Sequence, residues 1–189
     1  KEALKVAEGL PISFEVFSDD LDEMENQGRI INSWGGNSYV KIPITNTKGI
    51  STSGVIKKLS DDKIKINVTA IFTLEQIKSV VNSFNKNTPG IISIFAGRIA
   101  DSGNDPTNLM KKSYEELSSC KNLEILWAST REIFNIAQAI SCNSHIITIP
   151  PDILEKIKYL NKDPNEFSLD TVKAFYNDGK NAGFNINDD

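Results

Sequence analysis

The sequence predicts an α/β protein organised around a parallel β-sheet. Short apolar runs rich in β-branched residues alternate with segments whose apolar residues recur at helical spacing, and the loops between them are short. Six such runs occur, each followed by a helical segment, which is the order typical of parallel sheets. A barrel and an open doubly wound sheet are both consistent with this order. No glycine-rich phosphate loop follows the first strand, which disfavours a dinucleotide-binding fold.

The predicted strands span residues 12–17, 39–45, 64–69, 91–95, 123–128 and 145–149. The predicted helices span 19–32, 52–59, 73–84, 108–119, 131–140 and 169–183, and a further helix begins at 151. Ser18 or Asp19 is the expected cap of the first helix and Thr73 of the third, because a side-chain oxygen there accepts a backbone N–H of the first turn. Pro151 suits a first helical position.

Composition limits the classes of partner. The 189 residues are 39% hydrophobic and 24% charged, with a net charge of −4, an ordinary composition for one sizeable globular core. This balance predicts no general basic surface for nucleic acid. No apolar run approaches the roughly 18 residues of a membrane span. We therefore expect a cytoplasmic protein that binds neither nucleic acid nor membrane.

The cysteines and the histidine argue against a metal centre. Cys120 and Cys142 show no metal-binding or redox spacing, and are expected to be free thiols, buried or half-buried. His145 is the one histidine of the chain. A zinc site built from His and Cys is therefore not expected, and neither is a metal-dependent aldolase. We predict no metal and no cofactor.

A lysine lies in the middle of the second predicted strand. Lys41 is flanked by apolar residues on both sides, and desolvation there would lower its pKa by disfavouring the ammonium form. A lysine that is neutral near pH 7 can attack a carbonyl and form a Schiff base. The alternative is a structural one, in which Lys41 lies near the strand end and extends its ammonium to water.

Polar residues recur on most strands or just past their carboxyl ends: Glu15, Lys41, Asn67, Thr69, Ser93, Arg98, Ser129 and Arg131. Taken singly, each is more often structural than functional. Together they are better explained by one shared polar pocket, because unpaired polar groups in a core cost a few kcal/mol each. In a barrel of parallel strands, such a pocket lies at the carboxyl ends of the strands.

These residue types suggest a chemistry. Lys41 would condense with a ketone, and Glu15 and Thr69 would hold a water for proton transfer. Asn67 would bind a substrate hydroxyl. The remaining residues form a cationic pocket suited to a phosphate: Arg98, Ser129 and Arg131. Arg131 alone could be a solvated residue at a helix start, although a helix N-terminus after Ser129 would still favour an anion.

Several segments carry a resemblance to a known family: residues 15–16, 40–45, 66–72, 93–99 with Asp101, and 128–131. They resemble the transaldolase family, the class I aldolases that include the small fructose-6-phosphate aldolases. The resemblance runs in register over nearly all 189 residues. It implies a (β/α)8 TIM-type barrel and a transaldolase of the pentose phosphate pathway. Such an enzyme moves a dihydroxyacetone unit between a ketose phosphate, sedoheptulose 7-phosphate or fructose 6-phosphate, and an aldose phosphate.

The resemblance also implies residue roles. Lys41 would be the Schiff-base lysine, and Glu15 and Thr69 would position the proton-shuttling water. The substrate site would be lined by Asn67, Ser93 and Phe95, and the sugar phosphate would be bound by Arg98, Ser129 and Arg131. Glu15 and Phe95 match the transaldolases, because the aldolases carry Gln and Tyr at these two positions. The partners implied are sugar phosphates, without metal or cofactor.

One departure from the family bears on the domain. The family's barrel begins with two further strands, which carry an Asp and a Thr-Thr-Asn-Pro-like segment that are not found here. We therefore expect residues 1–189 to be a single barrel domain that is N-terminally incomplete, with about six of the eight strand–helix units. A fructose-6-phosphate aldolase-like enzyme and a catalytically inactive barrel fragment with a structural role are the alternatives. The family's shorter members assemble as rings, so homo-oligomerisation through a helix such as 169–183 is a further expectation.

Overall fold

Six parallel strands form one sheet in sequential order, as a computed structural model that describes residues 2–186 shows. The strands are β1 (Ile12–Glu15), β2 (Ser38–Pro43), β3 (Ile66–Ile71), β4 (Gly90–Ile94), β5 (Leu123–Trp127) and β6 (Ile146–Ile147). Each strand pairs in parallel with the next. The sheet curls into a half-barrel, which confirms the predicted parallel sheet and the partial (β/α)8 barrel.

Helices connect the strands: α1 (Glu2–Val6), α2 (Leu21–Ser33), α3 (Ser53–Asp61), α4 (Leu74–Ser83), α5 (Ala96–Asp101), α6 (Thr107–Glu116), α7 (Phe134–Ser141), α8 (Pro151–Leu154), a 3₁₀ turn (Glu155–Tyr159) and α9 (Pro164–Asn181). The predicted cap of α2 is wrong by one or two residues: Asp20 accepts the N–H of Glu23 at 3.0 Å. The predicted cap of α4 is confirmed, because Thr73 and Gln76 form a capping box.

The last helix begins earlier than its apolar spacing suggested. The side chain of Asp163 caps it by accepting the N–H groups of Asn165 and Glu166 at 2.9 and 3.2 Å. Pro164 occupies the first helical position, where its missing N–H costs no hydrogen bond. No described side chain of α9 is buried. Its packing on a neighbouring chain stays a prediction.

The two faces of the sheet have different environments. Successive strand residues point to opposite faces. The outer face packs against the helices in a large core that includes Ile42, Val68, Ile92, Ile125 and Trp127. The inner face carries a second, smaller apolar cluster: Tyr39, Ile91, Leu126 and Ala128. The polar positions between these inner residues therefore point into the half-barrel.

Ion pairs as well as packing hold helices α2 and α3 together. Glu25 accepts hydrogen bonds from Arg29 and Lys58, each at 2.8 Å, and Arg29 also lies 2.8 Å from Asp62. The hydrogen bonds from Lys58 and then Arg29 lower the pKa of Glu25 below its usual range. This cluster links α3 to α2, the helix that packs on β2, the strand that carries Lys41.

Cys120 is half-buried and Cys142 buried, and both are free thiols, as predicted. Within residues 2–186, no helix has the length and apolar character that crossing a bilayer requires.

Candidate active site

A cavity of about 780 Å³ opens inside the half-barrel. Its walls include these predicted residues: Lys41, Asn67, Thr69, Ser93, Phe95, Arg98 and Ser129. They come from β2, β3, β4 and the segments that follow β4 and β5. Residues two apart on a strand share a face, so Asn67 and Thr69, or Ser93 and Phe95, reach the same space.

Lys41 and Glu15 form an ion pair. The register of β1 on β2 places them directly opposite each other, and Lys41 Nζ donates to Glu15 Oε2 at 3.1 Å. The side chains are 31% and 43% exposed, so the expectation of an enclosed, desolvated lysine is wrong. The neighbours Val40 and Ile42 are buried because they point outward to the helices, whereas Lys41 points into the open cavity. The result is an amine with a carboxylate within proton-transfer distance.

Asn67 is held by two serines. Ser93 Oγ donates to Asn67 Oδ1 at 2.6 Å, and Asn67 Nδ2 donates to Ser13 Oγ at 3.0 Å. Asn67 and Ser93 are 5% and 2% exposed, so their polar atoms depend on these bonds. Ser13 also lines the cavity and was missed from the sequence. Its position two residues before Glu15 was the available signal, because period two puts both side chains on one face of β1.

Thr69 has an unused hydroxyl. The residue is 2% exposed, and among the described residues its Oγ1 has no hydrogen-bond partner. The next residue, Ala70, has φ of 60°, a left-handed conformation that is strained for a residue with a Cβ. The β3–β4 register shifts between Val68 and Ile71 at the same point. Strain and an unsatisfied buried group at one place are typical of functional sites.

Phe95 and Arg98 lie at the cavity wall beyond β4. The Arg98 guanidinium lies 5.1 Å from the centre of the Phe95 ring, a cation–π distance. The Phe95 ring in turn packs on Phe72 with centroids 5.7 Å apart. Helix α5, which carries Arg98, begins directly after Phe95 and was missed from the sequence because no side chain caps its start.

Arg131 is not placed in the cavity wall. Its Nη2 donates to Asp101 Oδ2 at 2.6 Å, and both side chains are about half exposed. The prediction of a helix starting at Arg131 is wrong, since α7 begins at Phe134. Asn135 Oδ1 accepts the N–H groups of Arg131 and Glu132 at 2.8 and 3.2 Å. The backbone donors expected to attract an anion after Ser129 are therefore already occupied.

Comparison with known proteins decides the family. The family model described as transaldolase/fructose-6-phosphate aldolase matches residues 1–188. The chain belongs to this family. Among its relatives are a probable transaldolase of Nitrosopumilus maritimus (32% identical over 163 residues), a probable transaldolase 2 of Listeria monocytogenes (34% over 158) and a probable transaldolase of Streptococcus equi subsp. zooepidemicus (35% over 162). These matches cover 83% of this chain and 68%, 68% and 70% of the relatives.

In this transaldolase-family chain, the floor of the half-barrel is apolar and aromatic. Tyr39 lies two residues before Lys41 on the inner face, and burial, followed by the charge of Glu124, raises the pKa of its phenol. The Lys65 ammonium lies 5.1 Å from the centre of the Tyr39 ring.

Thr148, just after β6, also lines the cavity and was missed from the sequence. Within residues 2–186, no three His, Cys, Asp or Glu side chains group as metal ligands would.

Proposed function

We propose that the protein is a transaldolase that transfers a dihydroxyacetone unit from a ketose phosphate to an aldose phosphate through a Schiff base on Lys41. The observation that carries the proposal is the Lys41–Glu15 pair at 3.1 Å. Its lysine lines the cavity, whose wall also holds Thr69 with a hydroxyl that has no partner among the described residues, whereas Glu15 lies outside the cavity lining. An amine nucleophile needs an adjacent base, and this geometry supplies one.

The first step would be condensation. Lys41 passes a proton to Glu15, and the free amine attacks the ketose carbonyl carbon. The carbonyl oxygen takes up two protons and leaves as water, so that an iminium forms on Nζ. Glu15 can return the proton it took, and a water held between Glu15 and Thr69 would carry protons to the oxygen that leaves.

Carbon–carbon cleavage would follow. A base removes the proton of the substrate's C4 hydroxyl, the C3–C4 bond breaks, and the aldose phosphate departs as an aldehyde. The electron pair moves to the iminium nitrogen and leaves a three-carbon enamine on Lys41. Attack of this enamine on the acceptor aldehyde, and hydrolysis of the new iminium, would complete transfer and restore the lysine.

The phosphate end of the substrate would lie at the other wall. Arg98 lines the cavity, and a guanidinium binds a phosphate through two parallel hydrogen bonds. Ser129 also lines this cavity. Arg131 would reach the phosphate by exchanging its Asp101 partner for phosphate oxygens, since the pair is half exposed and weakly held.

Borohydride trapping tests this proposal. With dihydroxyacetone or fructose 6-phosphate, reduction should add the mass of a three-carbon unit to the peptide that contains Lys41. Lys41→Arg should abolish the label, whereas Lys65→Arg, a matched control in the residue just before β3, should keep it. A label on another lysine would show that the assignment of Lys41 is wrong. Absence of any adduct with either compound would favour the inactive, structural alternative.

A further inference from the structure

The Ser93–Asn67–Ser13 row spans the inner face of the half-barrel from β4 to β1. Ser93 and Asn67 are nearly fully buried, whereas Ser13 is half-buried in the cavity wall. Ser13 is therefore the member of the row at which the buried hydrogen bonds meet the open cavity.

The row has a direction that follows from counting protons. The Ser93 hydroxyl has one hydrogen, and it is used in the bond to Asn67 Oδ1. One of the two Asn67 N–H groups is used in the bond to Ser13 Oγ. Ser13 accepts in this bond, so its own hydrogen is not used in the row. Among the described residues, the Ser13 hydroxyl makes no other hydrogen bond.

We propose that Ser13 is a positioning residue of this site, which fixes the Asn67 carboxamide and ends the row with a hydroxyl donor for a polyhydroxylated ketone. The inference rests on the proposed function, because the hydroxyl it would bind belongs to the three-carbon unit on Lys41. Register supports this placement: Ser13 lies opposite Tyr39 and Glu15 opposite Lys41, so Ser13 is one inner-face position from the ion pair.

Loss of the Ser13 hydroxyl has a specific consequence. The Asn67 N–H group that donates to Ser13 Oγ would lose its partner. Asn67 is only 5% exposed, so water could not readily replace this bond. The Ser93 hydroxyl would still bind Asn67, but a hydroxyl can accept as well as donate, and the two ends of a carboxamide have nearly the same shape. Without the bond to Ser13, Asn67 can therefore turn over and present oxygen where it presented N–H. A substrate hydroxyl oxygen would then meet the Asn67 carbonyl oxygen, an acceptor, where the Asn67 N–H and the Ser13 O–H had been donors.

Two variants of one shape isolate the hydroxyl. Ser13→Thr keeps it, and Ser13→Val replaces it with a methyl group on the same β-branched frame, which a strand accommodates well. The Thr variant should preserve every property described below and the Val variant should not. Ser33→Ala is the control, because the one hydrogen bond of the Ser33 hydroxyl among the described residues goes to Ile30 O of its own helix.

The first measurement does not depend on activity. The side-chain amide resonances of Asn67, assigned by their loss in Asn67→Ala, should shift in Ser13→Val and stay in place in Ser13→Thr and Ser33→Ala. Equal spectra for the Thr and Val variants would overturn the positioning role.

The second measurement reads substrate recognition. Trapping rates at Lys41 are compared for dihydroxyacetone and for hydroxyacetone, the same ketone without one hydroxyl. In Ser13→Val, the ratio of the trapping rate with dihydroxyacetone to that with hydroxyacetone should fall about tenfold, as expected for one hydrogen bond to a substrate hydroxyl. An unchanged preference overturns the substrate role of Ser13. If the wild-type protein forms no adduct at all, the proposed function and this substrate role fall together, and the Asn67 resonances still decide the positioning role.

Discussion

Gly97 and Ser129 are in direct backbone contact: a Cβ built on Gly97 would lie 1.5 Å from the Ser129 carbonyl oxygen. The Gly97 N–H also donates to Ala128 O at 3.3 Å. This contact joins the start of α5 to the segment after β5, and so fixes Arg98 relative to Ser129. Ser129 itself has φ of 65°, so its backbone is in a left-handed conformation that is strained for a residue with a Cβ.

Gly97→Ala should therefore be severely destabilising. The obstructing atom belongs to the backbone and cannot turn aside, so the variant should lose about 3 kcal/mol of unfolding free energy, the upper end of the range for overpacking. Urea unfolding followed by circular dichroism measures this loss. Gly54→Ala is the matched control, because within residues 2–186 no atom beyond its chain neighbours and its own helix backbone lies within 4 Å of the added methyl. The stability of this variant should be unchanged or slightly higher. Equal stabilities for the two variants would contradict the contact.

Much of the fold could be predicted from the sequence because each buried strand carries its own local signal. The β-branched runs around Val40, Val68 and Ile92 predicted strands, and their alternation with helical segments predicted parallel order. The environment of Lys41 could not be predicted in the same way. An apolar run with one lysine does not reveal which face is covered by helices and which opens into a cavity. That depends on the curl of the sheet and on its register with Glu15.

The region around Arg131 shows a second limit. The apolar spacing predicts a helix from Arg131, but the side chain of Asn135 binds the backbone ahead of the helix, which begins at Phe134. The partner of Arg131 is Asp101, thirty residues earlier in the chain. A contact of this kind depends on tertiary structure and leaves no local pattern in the sequence.

The Arg131–Asp101 pair predicts how phosphate affinity responds to charge. Asp101→Asn removes a carboxylate that competes with phosphate for the Arg131 guanidinium. We expect fructose 6-phosphate to bind about three- to tenfold more tightly at low salt, a gain of about 1 kcal/mol that salt should screen. Isothermal titration calorimetry at two salt concentrations measures it. Weaker binding would mean that Asp101 holds Arg131 in its binding position. The melting temperature should barely change, because the pair is exposed.

The Glu25 cluster predicts a pH-dependent contribution to stability. Hydrogen bonds from Lys58 and Arg29 lower the pKa of Glu25 in the folded protein. The stability that Glu25 contributes is therefore complete above the unfolded-state pKa of about 4.3, and it is lost as pH falls through the lower, folded-state pKa. At pH 7, Glu25→Gln should lower the free energy of unfolding by about 1 kcal/mol, and the melting temperature by about 2–4 °C. The difference from wild type should shrink below about pH 4.

Thermal melts of both proteins between pH 3 and 7 check this prediction. Glu115→Gln is the control, since Glu115 is an exposed helical carboxylate that forms no ion pair within the described residues. A difference for Glu25→Gln that stays constant down to pH 3 would contradict the assigned role of its charge.

The last prediction separates the two activities named in this family. Phe95 lies in the cavity wall, packed between Phe72 and the Arg98 guanidinium, and has no group that can donate or accept a proton. An enamine on Lys41 should therefore persist until an aldehyde acceptor arrives. Phe95→Tyr adds a hydroxyl at this wall, which could protonate the three-carbon unit and help to release it. We expect the variant to gain activity with free dihydroxyacetone.

The measurement compares two reactions in wild type and variant: cleavage of fructose 6-phosphate alone, and transfer from it to erythrose 4-phosphate or glyceraldehyde 3-phosphate. The wild type should transfer at least about tenfold faster than it cleaves, since proton transfer by a positioned side chain contributes about 10²–10⁴ to a rate. Phe95→Tyr should narrow this ratio, and Phe72→Tyr, on the neighbouring ring, should not. Wild-type cleavage as fast as transfer would identify the protein as a fructose-6-phosphate aldolase, because the bound unit would then leave without an acceptor.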